Sequence, residues 1–317
     1  MSTPQSYKAF RRSEDGSRLE MGRCPVPVIA RFIPASDCAA EAVAVGSEVS
    51  DFAPGDRVAP IFDLNNLLET EEKTAHLGGD VDGVLRQLAV FDQKVLVHLP
   101  KHLSWEEAAC ITCAGTTAWT ALEMPRSNGT ALLQGEYFWY WRREHVCFVN
   151  LPGSRHYRPI ITSPSDKKLD IARSLGQPGE VDIINYRTHP EWDKRALHLT
   201  HGRGVDVVVE NVGPTTIAQS LRSLVRRGTV SQVGFLGGFN IDRFPDTVGP
   251  LLGKSAVIRG IAVGSKIDQQ NLCDFLAERK ISLRPLLNDT IFSFEDSQAA
   301  FDHLYAARHM GKVVIKV

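Results

Sequence analysis

Between residues 160 and 235 the chain twice repeats one pattern, a short apolar run, a helical stretch and another short apolar run. In the second repeat Val205-Asp206-Val207-Val208-Val209-Glu210 reads as a buried strand. Thr215 to Arg227 carries Ile217, Leu221 and Leu224 at helical spacing, and Gly228-Thr229-Val230-Ser231-Gln232-Val233-Gly234 returns as a strand. A strand apolar on both faces must be covered on both faces, and a helix between two such strands makes the second run parallel to the first. This predicts an α/β fold with a doubly wound parallel sheet. The earlier repeat has Ile160-Ile161-Thr162 as a strand, Ser165 opening a helix that ends at Gly176, and Val181 to Tyr186 as the returning strand.

The first third has a different texture. Ala42 to Gly46, Pro54 to Pro60, Val84 to Phe91 and Val95 to Pro100 are short β-like runs broken by turn residues, the pattern of a small antiparallel barrel or sandwich. Ser104 followed by Trp105-Glu106-Glu107 reads as an N-cap with an acidic first turn, opening a helix that runs through Leu122. A helix over 294–308 and the strand Lys312 to Val317 close the sequence. The 317 residues allow roughly two domains.

Composition removes several function classes. With 36 Lys+Arg against 37 Asp+Glu, the formal charge is −1, so neither nucleic acid nor an anionic membrane is an expected partner. No window reaches the ~18 apolar residues of a membrane helix. Six scattered cysteines and an N-terminus without a basic and apolar leader predict a reduced, cytoplasmic setting.

Several strings, in this order, resemble the medium-chain dehydrogenase/reductase superfamily, in particular its zinc-independent alcohol-dehydrogenase-like and quinone-oxidoreductase-like members. They are Ile33-Pro34-Ala35-Ser36-Asp37-Cys38 with Val45-Gly46, Phe52-Ala53-Pro54-Gly55-Asp56-Arg57-Val58, Leu103 to Ala109 leading to Thr116-Thr117-Ala118-Trp119, Gly202-Arg203-Gly204-Val205-Asp206, Gly228-Thr229-Val230 and Gly311-Lys312-Val313-Val314. The resemblance implies a GroES-like β-barrel catalytic domain over 1–124 and 262–317, with a Rossmann dinucleotide-binding domain over 125–261 between its halves. It implies hydride transfer between a nicotinamide cofactor and a small-molecule substrate. The strand within 254–264 is either a homodimer edge, as the family pairs its sheets, or an ordinary buried strand.

Zinc is not expected. A catalytic site needs about three protein ligands and a structural site about four. Cys110-Ile111-Thr112-Cys113 has the spacing of half a structural site, but no second pair follows, and two buried thiols are the simpler reading. Where zinc-dependent relatives carry Gly-His-Glu, this chain has Ser36-Asp37-Cys38. His76, His98 and His102 read as loop or surface residues.

For the cofactor, the resemblance brings the Thr117 hydroxyl to the nicotinamide; a helix-internal Thr bonded to the preceding turn is the competing reading. Ser163, Ser165, Lys168 and Tyr186 match positions that hold the adenosine ribose and its 2′-phosphate, which favours NADP(H) over NAD(H). An ordinary cap and a solvated Lys also account for Ser165 and Lys168. Asn211 with Gly213, and Gly234 with Phe235, each end a parallel strand, where open α/β sheets bind ligands. Tight turns alone also explain those glycines. The resemblance adds Lys312 to the cofactor set. No acid or base for catalysis stands out.

Two places depart from the family. The glycine-rich turn that lets a pyrophosphate approach a helix N-terminus is missing. Ala131-Leu132-Leu133-Gln134-Gly135 reads as the expected strand, but Glu136-Tyr137-Phe138-Trp139-Tyr140-Trp141-Arg142-Arg143 follows it. Reading the codons of Trp139 to Cys147 one base later forces Gly from Trp139-Tyr140 and from Trp141-Arg142, and permits Gly-Thr-Gly-Gly-Val-Ser-Met-Phe-Ala. The hypothesis is that 136–158 comes from a displaced frame or an altered splice junction. Transcript and genomic sequencing decides it, since the absence of any one-base shift giving the glycine motif sinks the idea. Before Ile33, several dozen residues that family members insert after a segment like Pro25-Val26-Pro27-Val28 are also missing. A catalytically impaired or non-catalytic relative with weak or no cofactor binding is therefore the second reading.

Overall fold

The computed structural model describes residues 6–12, 19–25, 32–122, 159–174, 179, 181–236, 245–306, 309 and 311–317. The expected strand at 131–135, the altered segment 136–158, the N-terminal junction at 26–28 and the helix end at Gly176 lie outside these residues.

In chain order the elements are β1 (Ser6–Arg12), β2 (Leu19–Pro25), β3 (Ala40–Glu41), β4 (Arg57–Pro60), β5 (Leu96–His98), α1 (Trp105–Ala108), α2 (Thr116–Ala121), β6 (Ile160–Ser163), α3 (Asp166–Ser174), β7 (Asp182–Asn185), α4 (Trp192–Leu199), β8 (Val205–Glu210), α5 (Ile217–Ser223), β9 (Leu224–Gln232), α6 (Val248–Lys254), β10 (Val257–Gly260), α7 (Lys266–Arg279), β11 (Leu287–Ser293), α8 (Ser297–Tyr305) and β12 (Lys312–Lys316). They divide into two compact units, one of residues 1–116 with 264–317 and one of residues 117–263.

The first unit is built from both ends of the sequence. β3, β4 and β5 form an antiparallel sheet, β1 pairs with β2 antiparallel, and β11 pairs with β12 in parallel. Ile33, Leu85 and Phe294 form one core cluster, with Phe301 and Ile315 against it.

Two expected strands are replaced here. Ala42 to Gly46 is not a strand: the ladder ends at Glu41, Ala42 exchanges backbone bonds with Asp56 and Gly55, and Val43 is 68% exposed. Val84 to Phe91 forms no strand, because the amides of Gly83, Val84 and Leu85 bond to the carbonyls of Ile33, Ala35 and Pro34. The approach is so close that a Cβ on Gly83 would lie 2.0 Å from the Ala35 oxygen.

Ser104 does cap α1, through a reciprocal pair of bonds with Glu107. The helix does not run unbroken to Leu122 as expected. Residues Ile111–Gly115 form a π-helical turn between α1 and α2. The cause lies far away in sequence: Asp37 Oδ1 accepts the N–H of Cys113 at 2.6 Å and of Ala114 at 3.4 Å, diverting two donors from the helical ladder.

In the second unit β6 and β7 are parallel, as are β8, β9 and β10 in the order β10-β9-β8. No ladder joins the two sheets among the described residues. Both expected repeats form, with one correction: α5 ends at Ser223 and β9 begins at Leu224, so Leu224 is buried from a strand. Ile217, Leu221, Leu224 and Val230 pack as one cluster, and Ala118, Ala121 and Leu122 pack with Val209 as another.

Candidate cofactor site

Parallel strands leave their last residues and the turns that follow along one edge, and Asn211, Gly213, Gly234 and Phe235 lie at such ends of β8 and β9, as Ser163 and Tyr186 do at those of β6 and β7. β8 ends at Glu210, a residue 4% exposed. Its Oε1 accepts the N–H of Val212 at 2.8 Å, the N–H of Gly213 at 3.0 Å and the Thr216 hydroxyl at 2.8 Å. Its Oε2 accepts the Ser220 hydroxyl. Gly213 has a φ of +92°, which turns its N–H back toward that carboxylate, and a Cβ there would meet Phe235 at 3.1 Å.

The facing turn follows β9. Val233 donates to the Glu210 carbonyl at 2.8 Å, and Leu236 donates to the Asn211 carbonyl at 2.9 Å. Asn211, Gly213, Gly234 and Phe235 are thus brought together by two adjacent strand ends. Asn211 is 5% exposed, and among the described residues its Oδ1 has no hydrogen-bond donor. A buried amide oxygen without a donor is costly, so an N–H or O–H from a bound molecule fits the position.

Ser163 and Tyr186 meet at the ends of β6 and β7, where the Tyr186 N–H donates to the Ser163 carbonyl at 3.2 Å. Ser163 is the last residue of its strand, not the first beyond it as expected, and its hydroxyl accepts the Ser165 N–H at 3.2 Å. Lys168 is half-buried in α3. The Asp166 carboxylate lies beside them and accepts from the Asn185 amide at 2.7 Å. Thr117 is buried in α2, the helix that packs on β8.

Lys312 belongs to the other unit. Its ammonium donates to Asp37, and burial works against its charge while the Asp37 carboxylate, with Cys110 and Cys113 adding, holds it above the usual lysine range. Burial pushes the Cys110 thiol up to about 12, with Lys312 opposing, and Cys38 likewise up to about 12. Cys110 is buried, whereas Cys113, also expected to be buried, is partly exposed. His98 bonds the Asp51 carbonyl, His102 the Ile281 carbonyl, and His76 lies between Asp63 and Asp80. Among the described residues no three His, Cys, Asp or Glu side chains are grouped to hold a metal ion.

Sequence reasoning passed over Glu210 and the Asp37–Lys312 pair. Glu210 had a local signal, since Thr216 and Ser220 are four residues apart and so share one helix face.

Comparison with known proteins agrees with this architecture. Residues 11–101 match the family model of the alcohol dehydrogenase GroES-like domain, and residues 154–278 match that of zinc-binding dehydrogenases. A zinc-type alcohol dehydrogenase-like protein of Schizosaccharomyces pombe is 33% identical over 94% of this chain and 86% of its own. A crotonyl-CoA reductase of Streptomyces collinus is 26% identical over 88% of this chain and 66% of its own. Among solved structures, a putative alcohol dehydrogenase from Sinorhizobium meliloti 1021 superposes with a TM-score of 0.79 at 26% identity, covering 100% of both chains. A single-substitution variant of the crotonyl-CoA carboxylase/reductase AntE in complex with NADP shares the fold, with a TM-score of 0.80 at 17% identity, covering 100% of this chain and 96% of its own. The GroES-like and Rossmann-like halves, the parallel strand ends and these relatives together make the chain a member of the medium-chain dehydrogenase/reductase superfamily, whose members are NAD(P)-dependent oxidoreductases.

Proposed function

We propose that this chain is an NADP(H)-dependent oxidoreductase that interconverts an alcohol and a carbonyl, or reduces a quinone or enone, without a metal ion. The observation that carries the reading is the pair of turns after β8 and β9, with the buried Asn211 Oδ1, which has no hydrogen-bond donor among the described residues, between them. The bound nicotinamide supplies or accepts the hydride. The protein's part is orientation: Asn211 accepts a hydrogen bond from the cofactor, the turns after β8 and β9 lie along it, and Thr117 stands beside the nicotinamide. Ser163, Ser165, Lys168 and Tyr186 hold the 2′-phosphate, where one ammonium and several hydroxyls suit a dianion. Pairing through β10, where Val257 is 51% and Ile258 39% exposed, gives a homodimer.

Titration with NADPH tests the reading. At a hundredfold excess over the dissociation constant, binding stabilises the fold by about 2.7 kcal/mol, read as a rise in the unfolding midpoint. Lys168→Ala lowers NADPH affinity roughly tenfold and leaves NADH affinity unchanged, as loss of one charge-assisted bond predicts. Activity that survives prolonged chelation supports the metal-free chemistry. One observation favours the second reading, a relative that does not bind cofactor: the string Glu136-Tyr137-Phe138-Trp139 where the family has glycines. No midpoint shift at millimolar NADPH or NADH establishes that reading.

A further inference from the structure

Consecutive backbone N–H groups that converge on one point form a nest, and nests bind anions such as phosphate. The turn after β8 has this form, because the N–H groups of Val212 and Gly213 point at one place. That place is already filled by Glu210 Oε1, which also takes the Thr216 hydroxyl, while Oε2 takes Ser220. Glu210 is buried, and Ser220 has no exposed surface at all. The turn therefore contains its own anion.

We propose that the Glu210 carboxylate fills the amide nest of the 211–213 turn, so that the turn recognises an uncharged N–H or O–H donor through Asn211 Oδ1 and rejects phosphate. This rests on the dinucleotide reading above. A phosphate brought to this turn meets a buried carboxylate at hydrogen-bond range of the amides it needs, and like charges in a poorly hydrated place repel strongly. A neutral donor meets no such barrier. It finds the Asn211 oxygen, buried and without a donor among the described residues. On a nicotinamide dinucleotide two groups have this chemistry, the ring carboxamide and a ribose hydroxyl. Glu210 is then a positioning residue and Asn211 a contact residue.

Two arms test this on the full chain. In the first, Asn211→Leu keeps the size of the side chain and removes the buried oxygen. The unfolding midpoint of the unliganded protein stays level or rises, whereas affinity for NADPH falls about tenfold, the value of one lost hydrogen bond. A lowered midpoint with undiminished affinity overturns the assignment. Titration with 2′-phospho-ADP-ribose names the donor: an equal loss assigns it to the ribose, and a loss confined to NADPH assigns it to the carboxamide.

The second arm needs no cofactor. Glu210→Ala empties the nest and lowers the midpoint, and tens of millimolar acetate restores it where chloride at equal ionic strength does not. Equal rescue by chloride overturns the internal-anion role. Should that variant fail to fold, Glu210→Gln serves, since its amide oxygen still accepts from Val212 and Gly213. It folds and gains nothing from acetate, and a specific acetate response there overturns the proposal. A wild-type chain that binds neither NADPH nor 2′-phospho-ADP-ribose defeats the dinucleotide reading alone, because the acetate experiment is read on the unliganded protein.

Discussion

The turn around Asp37 and the turn around Glu210 solve one problem differently. Each holds a carboxylate that accepts two consecutive backbone N–H groups, a partly buried Asp37 with Cys113 and Ala114 in one unit, a buried Glu210 with Val212 and Gly213 in the other. Asp37 is also matched by the full charge of Lys312, whereas among the described residues Glu210 is matched by amides and two hydroxyls. A compensated pair stabilises chain geometry and projects little field. An uncompensated carboxylate leaves its charge acting on whatever approaches the strand end. The first arrangement suits a joint between distant segments, and the second suits a filter on a ligand.

Removing the counter-charge should break the contrast most severely. Lys312→Met leaves the partly buried Asp37 without its counter-charge, and is expected to cost about 2–3 kcal/mol in denaturant unfolding. Joint replacement with Asp37→Asn, which keeps an acceptor for the Cys113 and Ala114 amides, recovers most of that loss. Ser220→Ala takes one hydroxyl from Glu210 and is expected to cost about 2 kcal/mol, measured the same way, because a buried carboxylate oxygen loses its donor. The smallest effect is a pH dependence that sharpens the difference. Lys312 is raised from its ordinary value of 10.5, so its contribution is complete below that pH and is lost as pH rises through the elevated value. Midpoints recorded up to about pH 10 should therefore show no loss from this pair. A decline beginning near neutrality contradicts the pairing.

The parts of the fold that were legible in sequence are those fixed by neighbours in the chain. β6 and β8 are apolar runs that no helical period fits, and Ser104 with Glu107 carries its own cap. What escaped depended on distant partners. The π-helical turn exists because a carboxylate 76 residues earlier takes the Cys113 amide, and nothing in Ile111 to Gly115 records that. Val43 and Val45 alternate as a strand does, yet both are exposed because the ladder stops at Glu41. Leu224 satisfied the helical period and is buried either way, so periodicity could not separate α5 from β9. At the site, Asn211 and Gly213 were visible as a strand-end turn, whereas the role of Glu210 depends on bonds that only the folded turn brings together.

The link between Asp37 and Lys312 spans 275 residues, and the whole second unit lies between them in the chain. During synthesis residues 117–263 leave the ribosome, and are free to fold, before the lysine exists. Until then Asp37 has no counter-ion, and Ile33 and Leu85 lack Phe294. The nascent chain must carry an unfinished half through the translation of a finished one, a long-range closure that is slow and exposes apolar surface while it waits.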